Sequence, residues 1–508
     1  MKKLLLVTAS VIALSTAPTR ADPVSAAVAL ASTASSAFLG GGLASVFGLT
    51  GAANFAANFA IRAALGYALN ALTAKPNAVT RGYSTTVNAL GAALPHQVIY
   101  GEVVTGGAVT YQSLTGASSE YLHRVICFAG HEIDSYQTIY VNGEAVTLDG
   151  SGNVTAPSKW VGKIRIKEYL GTTSQAADSD LLAEVSEWTT AHQGKGIAYL
   201  YVRFMNASTF PNGTPVVTAK IRGKKVEDTR TSTTAWSDNP ALCIRDYLLS
   251  GYGLGESSTN IDDTLFEAAA TACEVQIGGA DTYTCNGAFL LDASPEGIIR
   301  SMLSSMGGTF WNYGGNWATR AASYVTPTLT LNEDDLRTNV TIATRHSRRD
   351  NFNAVHGTYR GAETDWQEDN YTSINPGLFL YEDNDIEAIA ELPLLFTSTD
   401  TMAQRIARTF LRRNREQITV TAGFGLAALD LKVSDTVMLT VSHYGWSQKV
   451  FEVVDWRMGM TSDMDIVINM ILREMSEEVF TGIVRGLEDE SANTLTDESG
   501  NTLEAIAA

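Results

Sequence analysis

Histidine, cysteine, carboxylate and arginine side chains are where chemistry would sit, and their spacing here matches no common active site. His96, His123, His131, His192, His346, His356 and His443 are dispersed along the chain. His131-Glu132 opens like a zinc-binding H-E-x-x-H pattern, but the second histidine is missing. There is no G-x-S-x-G, no G-x-x-x-x-G-K-[ST] and no strand-linked G-x-G-x-x-G. Cys127, Cys243, Cys273 and Cys285 form no C-x-x-C and have no histidine at ligand spacing. They read as free or buried thiols, with Cys273 and Cys285 the only close pair. Asp334-Asp335 and Asp383/Asp385 could serve a glycosidase in principle, yet they look like ordinary strand-end and turn acids. No residue is assigned a catalytic, cofactor-binding or metal-binding role, and no enzyme activity is expected.

Two basic clusters remain. Arg345, Arg348 and Arg349 flank His346. Arg405, Arg408, Arg412, Arg413 and Arg415 line a predicted helix from Met402 to Arg415, whose apolar face is Met402, Ile406 and Phe410. These arginines could meet DNA or an acidic partner, or could pack and pair within the fold. The chain has 36 Lys and Arg against 54 Asp and Glu, a net charge of −18. That balance opposes grip on nucleic acid by phosphate neutralisation and favours the packed, ion-paired helix. An acidic neighbour in an oligomer is the better functional version. The glycines of Gly307-Gly308 and Gly314-Gly315 lack the following helix N-terminus that would bind a phosphate, so they read as a tight β-turn.

The elements that would position these residues are mixed. At 508 residues, 45% hydrophobic and 18% charged, the chain suits a multidomain globular protein and excludes wholesale disorder. Many strand signals and fewer helices predict a β-rich α+β class. Ile139-Tyr140-Val141-Asn142-Gly143 predicts a hairpin with an Asn-Gly turn. Ala176 to Thr189 has helical spacing. Asn239-Pro240, Thr264-x-x-Glu267 and Ser294-Pro295 predict helix starts. Ile466 to Leu472 is apolar on both faces and predicts a central strand. The expected organisation is a hydrophobic Ala/Gly-rich helical segment (1–76), a β-rich domain with a small inserted domain (77–235), an α/β domain (236–330), a second β-rich domain (331–475) and an acidic C-terminal tail (476–508).

The first segment has two readings. Lys2-Lys3, an apolar run to about Leu14 and Thr19-Arg20-Ala21 resemble a cleavable signal peptide. Residues 23–61 then carry no charge at all, with Phe38, Phe47, Phe55 and Phe59 spaced along. A plug or oligomer-core segment competes with a membrane-active one.

Several stretches in order resemble the tail-tip hub proteins of long-tailed bacteriophages, the group that includes the lambda tip attachment protein and gene-transfer-agent hubs. They are Lys75-Pro76 and Gln97-Val98-Ile99-Tyr100-Gly101-Glu102; His123-Arg124-Val125-Ile126 through His131-Glu132-Ile133; Arg222-Gly223-Lys224-Lys225; Trp236-Ser237-Asp238-Asn239-Pro240 with Tyr252-Gly253-Leu254-Gly255; Leu331-Asn332-Glu333-Asp334-Asp335; and Ser434-Asp435-Thr436-Val437, Phe451-Glu452-Val453 and Leu472-Arg473-Glu474. Asp228-Thr229-Arg230 stands where such hubs often have Asp-Pro-Arg.

The resemblance implies a structural virion protein at the distal end of the tail, assembled in the host cytoplasm, which makes the signal-like start a mimic. It implies a homotrimer whose tube-like β-barrel hub domains form a pseudo-sixfold ring under a hexameric tail tube. Partners would be the distal tail protein, the tape measure protein and other hub, fibre or tip proteins. Receptor recognition would lie on another protein. Phage DNA would pass without specific binding, and residues 1–76 would plug the lumen or contact the host outer membrane. The competing reading is a secreted or surface-exposed β-rich adhesin or carbohydrate-binding protein with a cleaved signal peptide.

Overall fold

Strands dominate because β-branched and aromatic residues are concentrated in short alternating or fully apolar runs. The computed structural model describes residues 88–90, 94–205, 210, 213–345, 347, 350–460 and 465–481. The expected N-terminal helical segment, His346, Arg348, Arg349 and most of the acidic tail lie outside the described residues.

Two five-stranded sheets face each other in the first unit. One runs β1 (Ala89–Leu90), β4 (Ala108–Thr115), β5 (Tyr121–Ala129), β10 (Ala198–Met205), β9 (Ile164–Tyr169). The other runs β3 (Glu102–Gly106), β11 (Val217–Arg222), β6 (Ser135–Val141), β7 (Glu144–Leu148), β8 (Val154–Ala156). Ile126, Phe128, Ile139, Leu200, Val202, Phe204, Val217 and Ile221 fill the space between them. The β6–β7 hairpin turns at Asn142 and Gly143, both at positive φ, as the Asn-Gly signal predicts. The outer face of β5 and β10 is covered by a short helix, α1 (Ser179–Glu184), narrower than the expected 176–189. Asp178 caps it, and the chain leaves helical backbone at Val185.

One strand joins this unit to the next layer. β2 (Gln97–Tyr100) pairs antiparallel with β16 (Gly287–Leu290). Ile99 points into the first core, while Val98 and Tyr100 point into the second. On β16, Ala288 and Phe289 divide in the same way. Period-two alternation thus gives each strand a side in both cores.

The middle layer begins with the hairpin β12 (Lys225–Asp228) and β13 (Thr233–Trp236). Next come α2 (Pro240–Leu249) and α3 (Asp263–Cys273), a small hairpin of β14 (Gln276–Ile277) and β15 (Ala280–Asp281), and α4 (Pro295–Ser304). Asn239 caps α2 with Pro240 in its first turn, and Ser294 caps α4, as expected. The start of α3 differs. Asp262, not Thr264, is the cap, accepting from the amide of Leu265 at 3.1 Å. Aspartate is the better cap, and two residues upstream it lets Phe266, Ala269 and Ala270 face the core. The hairpin of β17 (Thr309–Tyr313) and β18 (Asn316–Arg320) turns at Gly314 and Gly315, the tight turn read from the sequence.

A six-stranded sheet closes the described chain, in the order β19 (Leu329–Leu331), β26 (Thr436–Val441), β27 (Trp446–Met460), β28 (Ile466–Glu474), β25 (Thr419–Phe424), β20 (Thr341–Ala343). β28 lies between β27 and β25, the central place its two apolar faces demand. Between β20 and β25 the chain returns to the middle layer. There it forms two small pairs, β21 (Ala354–His356) with β24 (Ile389–Glu391) and β22 (Thr358–Arg360) with β23 (Glu368–Asn370), the short helix α5 (Gly377–Glu382) and the long helix α6 (Asp400–Arg415). After β28 comes α7 (Glu478–Thr481).

The expected closed β-barrels are corrected here. The six-stranded sheet ends at β19 and β20, which do not pair with each other, and the two five-stranded sheets also remain open ladders. The edge strands β19 and β20 have three residues each, too short to complete a hydrogen-bonded ring.

Candidate functional site

The densest buried charge lies where α6, the β17–β18 hairpin and the six-stranded sheet meet. Glu452, 5% exposed, sits on β27 within an otherwise apolar run. Arg413 of α6 donates to both of its oxygens, at 2.7 and 2.9 Å, and Arg473 of β28 donates at 2.6 Å. Ser434 Oγ completes the set at 3.3 Å. Burial alone would raise the Glu452 carboxyl, but the charges of Arg413 and Arg473 hold it down to about 2. Beside it Arg320 donates to Asp435 at 2.8 Å and to the carbonyl of Ser434. A cavity of about 20 Å³, lined by Arg320, Arg413, Ser434, Thr436 and Glu452 among others, lies at this junction. That is room for about one water.

The remaining arginines of α6 are also engaged internally. Arg405 donates to the carbonyl of Thr282 at 2.8 Å, Arg412 to that of Glu478 at 2.7 Å, and Arg415 to Glu382 and Asp383 at 2.5 and 2.9 Å. Met402 and Ile406 are buried, and Phe410 stacks on Phe352 at 5.0 Å. Of the two readings of this helix, the packed and ion-paired one is what the structure shows.

A second polar cluster surrounds the strand joint. Asp246 of α2 accepts from Tyr100 at 2.5 Å and from Lys224 at 2.8 Å. Lys224 also donates to Ser250 at 3.0 Å and to Tyr252 at 2.7 Å. His131 lies next to it, 8% exposed, and burial pushes its pKa down to about 4.

The other sequence candidates separate. Glu132 pairs with Lys225 at 3.3 Å and faces no second histidine. Asp335 accepts from the amide of Asn332 in a capping box, and Asp383 accepts from Arg415 and Asn353. Cys243, Cys273 and Cys285 are buried free thiols, so Cys273 and Cys285 are not joined. Burial raises the Cys243 and Cys273 thiols. Among the described residues no group of three or more His, Cys, Asp or Glu side chains is arranged to hold a metal. No helix among them is long and apolar enough to cross a membrane. Glu452 was visible in the sequence only as an acid inside Val450 to Val454. A lone carboxylate in an apolar strand, in a chain with an arginine-lined helix, is the signal that could have exposed the pair.

The charges of these clusters are spent on internal ties, in β-rich units flanking an α/β layer. Known proteins share parts of this sequence and this fold. Residues 294–456 match the family model described as "Putative phage tail protein". Over 384 residues the chain is 23% identical to baseplate hub protein pb3 of Escherichia phage T5, an alignment covering 67% of this chain and 39% of pb3. The chain thus spans well under half the length of that relative. A chain in the solved virion of a native gene transfer agent particle superposes with a TM-score of 0.57 at 16% identity, covering 87% of this chain and 99% of that one. The chain is thus similar in sequence to a phage tail family model and to a phage baseplate hub protein, and in fold to a chain of a gene transfer agent virion.

Proposed function

We propose that the chain is a structural hub of a long-tailed phage tail tip or baseplate, with a role in assembly and gating rather than catalysis. It assembles as a homotrimer at the distal end of the tail tube. Each subunit offers two β units, so three chains present six and adapt a sixfold tube to a threefold tip. Its neighbours are the distal tail protein, the tape measure protein and fibre or tip proteins, and phage DNA passes without specific contacts when the tip opens. The domain boundaries read from the sequence, with residues 1–76 as plug or membrane-contacting segment, belong to the same proposal. The observation that carries it is the fold likeness along nearly the whole length of the gene-transfer-agent chain, beside the family match at 294–456. The net charge of −18 supports a wall that does not adhere to DNA. Native mass spectrometry of the purified chain tests it. A species of three chains is expected, and a strictly monomeric protein over the micromolar range overturns the trimeric hub.

A further inference from the structure

The three cores are held together by two joints of different construction. The first is the β2–β16 ladder, with Val98, Tyr100 and Phe289 in one core and Ile99 and Ala288 in the other. It is apolar and backbone-paired, so opening it would expose both cores to water. The second joint lies between the middle layer and the six-stranded sheet. Each side has its own closed apolar core, one around Met302, Met306 and Ile406 and the other around Val437, Phe451 and Ile468.

What crosses the second joint is mostly polar. Arg413 reaches Glu452, and Arg320 reaches Asp435. Thr309 Oγ1 lies 3.2 Å from Ser434 Oγ, and Lys432 Nζ lies 3.2 Å from Asp262. Thr436 Oγ1 donates to the carbonyl of Val325 at 2.5 Å. The small cavity sits among these groups. Ser434 at their centre holds a left-handed backbone, φ 69°, unusual for a residue with a side chain. Directional polar ties are replaced by water when such a joint parts, so each contributes little net resistance. The exception is Glu452, because removing its charge leaves two guanidiniums facing each other in a buried place.

We propose that residues 329–474, apart from the 350–415 excursion that packs in the middle layer, form a body that swings against the rest of the chain, with Glu452 as the latch. Among the described residues the crossings are 321–328, 344–345, 416–418 and 475–477. In the first of these, Ala321 and Ala322 stay in the middle core, where Ala322 bonds Met306 and Tyr283, and beyond them Thr436 holds Val325. The inference goes beyond the hub reading and does not depend on it, since it concerns a single chain.

Limited proteolysis of the full chain with chymotrypsin tests it, because Tyr324 lies in the 321–328 crossing. In Glu452→Gln, cleavage after Tyr324 is expected to accelerate at least tenfold, while sites in residues 97–222 keep their wild-type rates. Arg413→Lys, which keeps the charge but loses the two-pronged contact, is expected to give a smaller acceleration at the same bond. An unchanged rate at Tyr324 in both variants overturns the latch. So does a uniform acceleration at all tyrosines, which would mean global unfolding. If Glu452→Gln does not stay soluble, the Arg413→Lys map decides by the same two criteria.

Discussion

The backbone N–H of Ile99 donates to Nε2 of His131 across 3.0 Å, and Nδ1 of the same ring lies 2.8 Å from the carbonyl of Glu132. Nε2 must therefore be bare and Nδ1 must carry the proton, so the ring is held neutral in one tautomer. A strand that serves two cores is thus pinned by a histidine that cannot take a second proton without losing the Ile99 bond.

Acid should weaken the fold through this contact. Burial holds His131 down to about 4 in the folded chain, against 6.5 for an unperturbed histidine. Between those values the unfolded chain binds a proton that the folded one refuses. Stability is therefore complete above about pH 6.5 and declines as pH falls toward 4, by about 3 kcal/mol in all. Urea midpoints at pH 7 and pH 4.5 measure the decline. His131→Gln, which cannot titrate, should show a smaller drop; His123, also lowered by burial, accounts for part of what remains. An equal drop in the variant would assign the effect elsewhere.

Asp246 and Tyr100 should contribute unequally. Tyr100→Phe removes one hydrogen bond but leaves Asp246 paired with Lys224, at a cost of about 1 kcal/mol. Asp246→Asn removes the only carboxylate that Lys224 touches among the described residues and leaves a half-buried ammonium without that counter-charge. That should cost about 3 kcal/mol. Chemical denaturation of both variants at pH 7 checks the order, and equal losses would show that the charge carries no weight.

Gly101 is expected to tolerate no side chain. Its φ of +65° favours glycine, and a Cβ there would lie 2.1 Å from the carbonyl oxygen of Cys285. Backbone from the next layer cannot yield as a side chain could. Gly101→Ala should lower stability by about 3 kcal/mol or more, read as a fall in melting temperature. By contrast, alanine at Gly143, at a hairpin tip with open space around it, pays only the strain of its own positive φ. If the two variants melt alike, the close approach at Gly101 is unimportant.

Local signals in the sequence carried the local structure, and long-range ones stayed hidden. Asn142-Gly143, Asn239-Pro240 and Ser294-Pro295 each act through neighbours in the chain, and each formed as read. The cap of α3 was misplaced because Asp262 and Thr264 are both acceptable caps, and only the burial of Phe266 decides between them. The β2–β16 ladder and the Arg413–Glu452–Arg473 set join residues far apart in sequence, and no spacing rule connects them. Barrel closure failed as an expectation because it depends on edge strands whose length only the folded ladder fixes.

Thiol chemistry separates the cysteines by their surroundings. Cys243, Cys273 and Cys285 lie in the core of the middle layer, and Cys127 is half-buried on β5, where burial raises its thiol as well. A thiol-specific reagent needs both access and the thiolate. In the folded chain at pH 8, Cys127 should react slowly and the other three not at all on the same timescale. In denaturant, without any reductant, all four should react, since none is paired. Counting released chromophore under both conditions checks this. Two reactive thiols in denaturant would mean that a pair such as Cys273 and Cys285 had oxidised. Three fast thiols in buffer would mean that the core of the middle layer, where Cys243, Cys273 and Cys285 lie, is open to solvent.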